Sequence, residues 1–167
     1  MMPILKHRSP LAFQQMSPHE VSALLAHARA LQRAAQAGTA QPLLKGKNLG
    51  LLCEAPDDAD AVLFRRAAGE LGAHVAHIRP SLSDLSTPQE VQHTARMLGR
   101  LYDAVECQGM TSALVQQVSD EAGVPVYDGI ASRSLPMAML AEQLDGIAMA
   151  SDNRRFVLQA LLLSTIG

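Results

Sequence analysis

Four short apolar segments alternate along this chain with longer segments of helical periodicity, and this order of elements restricts the possible folds more than any other feature. The apolar segments are Asn48–Cys53, His74–Ile78, Asp103–Cys107 and Val124–Tyr127. Each connection between them is long enough for a crossover helix, which parallel strands require. We therefore predict an α/β fold, a four-stranded parallel sheet with helices on both faces.

Capping residues and glycines mark the predicted helices. Ser17-Pro18-His19-Glu20 and Thr87-Pro88-Gln89-Glu90 each place a hydroxyl cap, a proline and a glutamate at the spacing of a helix start. The helices are predicted at 17–38, 62–71, 87–98, 111–123, 136–144 and 152–165. The last of them is apolar nearly all round, which predicts that it is buried or lies at an interface.

Composition excludes several classes of protein. The 167 residues are 48% hydrophobic, which is enough for one domain with a substantial core. The net charge is −2 and no basic run is present, so nucleic acid is not an expected partner. No apolar segment is long enough to cross a membrane, and no signal peptide is evident. Cys53 and Cys107 lie in apolar runs and are interpreted as reduced and buried, which favours a cytoplasmic protein.

The loop after the first predicted strand is the most unusual local feature. In a parallel sheet, ligands bind at the carboxyl ends of the strands, where a helix N-terminus offers N–H groups to an anion. In the stretch LLCEAPDDADAVLF this position carries Asp57, Asp58 and Asp60. One interpretation is that one aspartate caps the helix and the others are solvated. The alternatives are a pocket for a cation, such as Mg²⁺ or an amine, and contact with a basic partner.

Other ionisable residues do not form a recognisable site. His74 and His77 have an odd separation, so on a strand they point to opposite faces and do not form a metal-binding pair. Cys53 lacks a nearby histidine pattern and is interpreted as a core residue. We expect no cofactor and no metal, with Asp57, Asp58 and Asp60 as the alternative cation site.

Five stretches of the sequence resemble one known family. They are SPHEVSALLAHARALQ, PLLKGKNLGLLCEAP, VLFRRAAGELGAHV, HTARMLGRLYDAV and AGVPVYDGI. In this order they resemble the carbamoyl-phosphate domain of aspartate and ornithine transcarbamylases, nearer the ornithine type. The resemblance covers residues from about 12 to 145 and implies the N-terminal-domain fold of that family.

The end of the chain resembles the last helix of the same family. SDNRRFVLQALLLSTIG is similar to the helix that closes the first domain of transcarbamylases, but no second, amino-acid-binding domain precedes it. The resemblance implies a single domain over 1–167. Its body is 1–145, its junction in place of the second domain is 146–151, and its closing C-terminal helix is 152–167.

The family's binding motifs fall on residues of different chemistry. Its S-T-R-T-R phosphate loop falls on Asp57, Asp58, Ala59, Asp60 and Ala61. Its next arginine falls on Gln108, and its G-E-S loop falls on Pro88-Gln89-Glu90. Its H-P-x-Q motif falls on Leu135-Pro136-Met137-Ala138. The resemblance therefore implies a vestigial carbamoyl-phosphate pocket at Asp57, Asp58, Ala59, Asp60, Gln108, Leu135 and Ala138.

Loss of the donors leads to three hypotheses about function. The first is a non-catalytic, oligomeric binding or regulatory protein that no longer binds carbamoyl phosphate, because several carboxylates would repel a dianion. The second is a regulatory subunit that joins a full-length transcarbamylase. The third is a family enzyme with an altered substrate. Transcarbamylases are trimers, so the resemblance implies a homo-oligomer, with a trimer as its expected form. No catalytic residue is predicted.

Overall fold

A computed structural model of the chain describes residues 16–131 and 150–166. The helices described are α1 (Pro18–Gln36), α2 (Ala59–Glu70), α3 (Pro88–Leu101), α4 (Ser112–Ala122) and α5 (Ala150–Thr165). The strands are β1 (Asn48–Leu52), β2 (His74–Ile78), β3 (Ala104–Cys107) and β4 (Val126–Asp128). Strands and helices alternate as the sequence predicts, while the predicted helix at 136–144 lies outside the described residues.

The four strands form one parallel sheet in the order β2-β1-β3-β4. The chain leaves β1 for β2 on one side and later places β3 on the other side of β1. The carboxyl ends of β1 and β3 therefore flank the point where the strand order reverses, which is the usual ligand position in such sheets. In register, Leu51 of β1, Glu106 of β3 and Tyr127 of β4 lie side by side.

Helices cover both faces of the sheet, which confirms the predicted fold class. One apolar cluster joins the sheet to α1, α2 and α5, and includes Leu51, Phe64 and Leu158. The other joins the opposite face to α3 and α4, and includes Val91 and Leu114. The two clusters follow from the strict alternation of side chains along the strands.

Close packing of α3 on α4 depends on a glycine. A Cβ atom at Gly99 would lie 1.8 Å from the carbonyl oxygen of Ala122, so a larger residue there would force the two helices apart. The sequence marks this contact only as a glycine inside a helical pattern.

Helix α5 is buried against α1 and α2, as its apolar surface predicts. Phe156 is 4% exposed, and Val157 and Leu158 are fully buried. Polar side chains also attach α5: Gln159 Nε2 donates to the Ala67 carbonyl at 3.1 Å, and Arg155 Nε lies 2.9 Å from Glu70 Oε1.

Several boundaries differ from the sequence prediction. Helix α2 begins at Ala59, three residues before the predicted Val62. Its first turn is helical although Asp60 is polar and interrupts the apolar pattern from which the start was predicted. Strand β4 is Val126–Asp128 rather than Val124–Tyr127, and α5 begins at Ala150 rather than Asp152. The predicted caps are confirmed: Ser17 forms a capping box with Glu20, and the Thr87 side chain accepts from Glu90 N.

Candidate functional site

The loops that follow β1 and β3 meet at the carboxyl edge of the sheet. The β1 loop leads through Pro56 and three aspartates into α2, and the β3 loop starts at Gln108. We consider this edge the candidate site because it lies at the reversal of strand order.

Asp57 and Asp58 are exposed. Asp58 occupies the N-cap position of α2 with an extended backbone, φ −61° and ψ 148°, but its side chain makes no capping hydrogen bond. The interpretation that an aspartate caps α2 therefore fails for Asp58. A carboxylate at this end of a helix is still favoured by the helix dipole, by about 0.3–1 kcal/mol.

Asp60 is half-buried in the first turn of α2 and contacts the last described helix. Its Oδ1 lies 3.8 Å from Arg154 Nη2 of α5, whose side chain is 17% exposed. The same Nη2 donates a hydrogen bond of 2.6 Å to the Ala131 carbonyl. Arg154 therefore holds the residues after β4 as well as the first turn of α2.

Gln108 also forms its contacts within the chain. Its Nε2 lies 3.2 Å from the backbone oxygen of Asp60 and 3.3 Å from Glu106 Oε2, and it donates to both. The position that the resemblance assigns to an arginine thus links α2 to β3. Leu135 and Ala138, the other two positions of the expected pocket, lie outside the described residues.

Glu106 is the residue that the sequence interpretation missed. It is fully buried in the middle of β3, between Leu51 and Tyr127. The backbone N–H groups of Ile130 and Ala131 donate to its Oε1 and Oε2, each at 3.1 Å. Burial raises the pKa of Glu106 to about 8, while hydrogen bonds from Ala131, Gln108, Ile130 and Gly129 act in the opposite direction. The available signal was one glutamate inside the apolar run Ala104–Cys107.

These contacts close into a ring, which we call the edge ring. Its members, in order of contact, are Glu106, Gln108, Asp60, Arg154 and Ala131, and Ala131 returns to Glu106. The edge ring joins β3, α2, α5 and the segment after β4. It brings together two residues that the sequence singles out, Asp60 and Gln108, and three that it does not, Glu106, Arg154 and Ala131.

A second polar group lies at the N-terminus of α4. Thr111 Oγ1 donates to Asp84 Oδ1 at 2.7 Å, and Ser112 Oγ donates to Asp128 Oδ2 at 2.6 Å. These bonds tie the loop after β2 and the end of β4 to α4. The hydroxyls are thus already bonded to carboxylates of the same chain.

His77, which was considered as a metal ligand, and Cys53, which was considered as a reactive thiol, both lie in structural environments. His77 Nε2 lies 2.8 Å from the Cys53 carbonyl oxygen, and burial raises the pKa of the Cys53 thiol. Cys53 and Cys107 are both buried and unpaired, which confirms their interpretation as core residues. Among the described residues, no group of three histidine, cysteine, aspartate or glutamate side chains is placed to hold a metal ion.

The carboxyl edge of the sheet carries several carboxylates, and two of its side-chain hydrogen-bond donors already have partners within the chain. The Arg154 guanidinium and the Gln108 carboxamide nitrogen are both bonded to oxygens of the chain. An anion bound through these two side chains would have to replace those bonds, and it would lie near the carboxylates of Asp57, Asp58 and Asp60. Across the residues that the structure covers, no helix is long and apolar enough to cross a bilayer.

Comparison with known proteins gives one family. Residues 8–145 match the model of the aspartate/ornithine carbamoyltransferase, carbamoyl-P binding domain. An ornithine carbamoyltransferase of Cutibacterium acnes is 39% identical over 140 residues, which are 84% of this chain and 42% of that protein. A catabolic ornithine carbamoyltransferase of Haemophilus influenzae has the same identity and coverage. The chain therefore spans about two fifths of the length of these relatives.

Solved structures agree on the fold. The ornithine carbamoyltransferase from Pyrococcus furiosus matches 83% of this chain and 44% of its own, with a TM-score of 0.70 and 28% identity. An aspartate transcarbamoylase from Trypanosoma cruzi, in complex with N-(phosphonacetyl)-L-aspartic acid, matches with a TM-score of 0.64 at 22% identity, which supports the fold alone.

Proposed function

Since the chain belongs to the aspartate and ornithine carbamoyltransferase family, through its carbamoyl-phosphate-binding domain, we propose that it neither binds carbamoyl phosphate nor transfers the carbamoyl group. It acts instead as a non-catalytic, oligomeric binding or regulatory protein. The observation that carries this proposal is the edge ring, in which Arg154 Nη2 and Gln108 Nε2 already bond to oxygens of the chain.

Electrostatics supports the same conclusion. Two like unit charges about 4 Å apart repel by roughly 1 kcal/mol in water and about 4 kcal/mol at a partly shielded site. Asp57 and Asp58 lie in the loop that would face a dianion, and Asp60 lies in the adjoining first turn of α2. At such a separation their combined repulsion would exceed the attraction of the α2 N-terminus, which contributes about 0.3–1 kcal/mol.

Calorimetric titration of the full chain with carbamoyl phosphate tests the proposal. We expect no binding heat at millimolar ligand, while an ornithine carbamoyltransferase in the same buffer serves as the positive control. Micromolar binding would contradict the proposal that the chain no longer binds carbamoyl phosphate. A parallel assay supplies carbamoyl phosphate with ornithine or aspartate, and detection of citrulline or carbamoyl aspartate would overturn the loss of transfer. Transfer to a different amine would support the alternative, a family enzyme with an altered substrate.

A second candidate function is that of a regulatory subunit in a mixed oligomer with a full-length transcarbamylase. It rests on the membership of the chain in a transcarbamylase family, and Leu85, a large apolar side chain that is 94% exposed in the loop after β2, is the contact used to test it. A single exposed leucine is common on protein surfaces and does not by itself indicate an interface. Co-purification from the native host, followed by native mass spectrometry, distinguishes the mixed oligomer from a homotrimer. A matched Leu85→Ser variant should weaken whichever assembly forms, and an unchanged mass distribution would remove Leu85 from the contact.

The domain organisation and location are also proposals. We place residues 1–167 in one domain, with 146–151 as the junction in place of a second domain, because α5 packs directly on α1 and α2. We place the protein in the cytoplasm because its two cysteines are unpaired. Limited proteolysis, which should yield one resistant core containing α5, tests the first of these.

A further inference from the structure

Helix α3 carries a row of exposed side chains along its outer side, which we call the α3 surface. Its members are three and four residues apart and therefore share one side of the helix; they are His93, Arg96, Met97, Arg100 and Leu101. Met97 is 45% exposed and Leu101 is 58% exposed, although the opposite side of the helix is buried in the core. The first four members also line an open groove.

The residue types of the α3 surface are those that protein interfaces favour. Arginine and methionine are enriched at interfaces, whereas lysine, aspartate and glutamate are depleted. The α3 surface has two arginines and a methionine, and none of the three depleted types. Arg96 contacts Glu121 of α4 at 3.4 Å, but within the described part of the chain no acid pairs with Arg100. The α3 surface therefore offers a guanidinium beside two exposed apolar side chains.

A second exposed surface, which we call the acidic surface, lies where the β1 loop enters α2. Its members are Glu54, Asp57, Asp58, Ala59 and Val62. Val62 is 45% exposed, so this surface also combines charge with a large apolar group. Aspartate at an N-cap position usually accepts a hydrogen bond from the helix backbone. The Asp58 side chain makes no such bond, which leaves its carboxylate available to a donor from outside the chain.

The two surfaces match each other in charge and in apolar content. Helices α2 and α3 cover opposite faces of the sheet, so contact between the two surfaces requires two copies of the chain. Contact of either surface with its own equivalent would bring arginine to arginine or aspartate to aspartate, which is unfavourable. Charge complementarity therefore favours a contact between unlike surfaces of different copies.

We propose that the acidic surface of one copy docks on the α3 surface of a second copy, with the aspartates facing the arginines and Val62 packed against Met97 and Leu101. A contact between unlike surfaces closes into a ring when the rotation from copy to copy allows it. Of the interpretations of the β1 loop, this contact selects the one in which its carboxylates meet a basic partner. It rests on the oligomeric state in the proposed function, and it does not depend on whether the chain binds carbamoyl phosphate.

Charge reversal in the full chain tests the contact, with the dissociation constant of the oligomer measured by sedimentation velocity over a range of concentrations. Arg100→Glu alone, and Asp57→Lys together with Asp58→Lys, should each raise this constant at least about tenfold, because attraction becomes repulsion. The three substitutions combined should restore much of the association, since the surfaces are complementary again with their signs exchanged. Arg33→Glu, at an exposed arginine of α1, is the matched control and should leave association unchanged.

The outcomes separate this contact from the proposed function. An oligomer whose dissociation constant is the same in both reversed variants would overturn the contact and leave the oligomeric state standing. A combined variant that associates no better than the reversed variants would also overturn it. A chain that is monomeric at every concentration would overturn both the contact and the oligomeric state, while the calorimetric test of carbamoyl phosphate would be unaffected.

Chemical cross-linking decides the case if a reversed variant does not fold. Arg100→Lys keeps the positive charge and supplies an amine. A water-soluble carbodiimide activates the carboxyl group of Asp57 or Asp58, the new amine attacks it to form an amide, and the carbodiimide leaves as its urea. In a mixture of unlabelled and ¹⁵N-labelled chains, mass spectrometry should find a light peptide of one surface joined to a heavy peptide of the other. Absence of such mixed pairs would overturn the contact.

Discussion

Two acidic regions lie at the same edge of the sheet, and they differ in nearly every physical respect. Asp57 and Asp58 are exposed and stand at a helix N-terminus, while Glu106 is fully buried within a strand. The aspartates are conspicuous in the sequence, whereas the glutamate is a single polar residue in an apolar run. The comparison teaches that the number of charges in a segment matters less than the access of water to each of them.

Asp60 lies between these extremes and connects them. It follows the exposed aspartates in sequence but shares the edge ring with Glu106 through Gln108 and Arg154. A loop that looks uniformly acidic therefore contains two kinds of residue, solvated acids and a member of a structural network.

The largest expected effect concerns the pH dependence of global stability. The folded-state pKa of Glu106 is raised from its ordinary value of 4.5 to about 8, so between these values the folded chain holds a proton that the unfolded chain has lost. The free energy of unfolding should therefore fall as pH rises, by at most about 1.4 kcal/mol per pH unit and about 4 kcal/mol over this range. Urea unfolding of the unmodified chain and of Glu106→Gln checks this. If the free energy of unfolding falls equally with pH in both proteins, a group other than Glu106 binds the proton.

The next effect concerns the cation of the edge ring. Arg154→Ala removes a charge-assisted hydrogen bond to the buried Ala131 carbonyl and should lower the free energy of unfolding by about 2 kcal/mol. The matched control is Arg66→Ala, which removes an exposed i,i+4 pair with Glu70 and should cost less than about 0.5 kcal/mol. Chemical denaturation at one pH measures both. Equal losses would show that burial does not distinguish the two arginines.

A smaller effect is expected from the pair of Asp60 and Arg154. Their atoms are 3.8 Å apart and the Asp60 side chain is 38% exposed, so solvent weakens the attraction. A double-mutant cycle with Asp60→Asn and Arg154→Gln should give a coupling below about 1 kcal/mol. A coupling several times larger would mean that the ion pair, rather than the bond to Ala131, anchors Arg154.

The smallest effect is expected at the most conspicuous residues. Asp57→Asn and Asp58→Asn should each lower the free energy of unfolding by no more than the helix-dipole contribution of about 0.3–1 kcal/mol, because both side chains are exposed and Asp58 makes no capping bond. Thermal unfolding of the two variants provides the measurement. A loss comparable with that of Arg154→Ala would show that the loop has a structural role.

Much of the fold follows from local patterns. Ser17 and Thr87 predict helix starts correctly because their caps are formed by residues three positions away. Alternation of apolar strands with helices predicts a parallel sheet, and the apolar surface of 156–162 predicts that α5 is buried. The start of α2 is missed because Ala59 and Asp60 interrupt the apolar periodicity although their backbone is helical.

The candidate site is less predictable, because its contacts join residues that are distant in sequence. Gln108 could be singled out by resemblance, but its bonds to Asp60 and Glu106 depend on how α2 is placed against β3. Arg154 is separated from Asp60 by more than half of the chain, so no local pattern indicates that the two meet. Asp57, Asp58 and Ala59 as parts of a vestigial pocket stay a prediction, and Leu135 and Ala138 lie beyond the described part of the chain.

By itself the sequence determined the class of fold, the approximate positions of the described helices and strands, and the chemistry of the loop after β1. These depend on side-chain periods and on contacts between near neighbours, which any reader of the sequence can find. Only the tertiary structure decided which acid is buried, because the burial of Glu106 results from β1, β4 and the segment after β4 converging on one strand. The cost of a charge depends on that convergence, and so the residue with the largest expected effect on stability is one that the sequence alone leaves unnoticed.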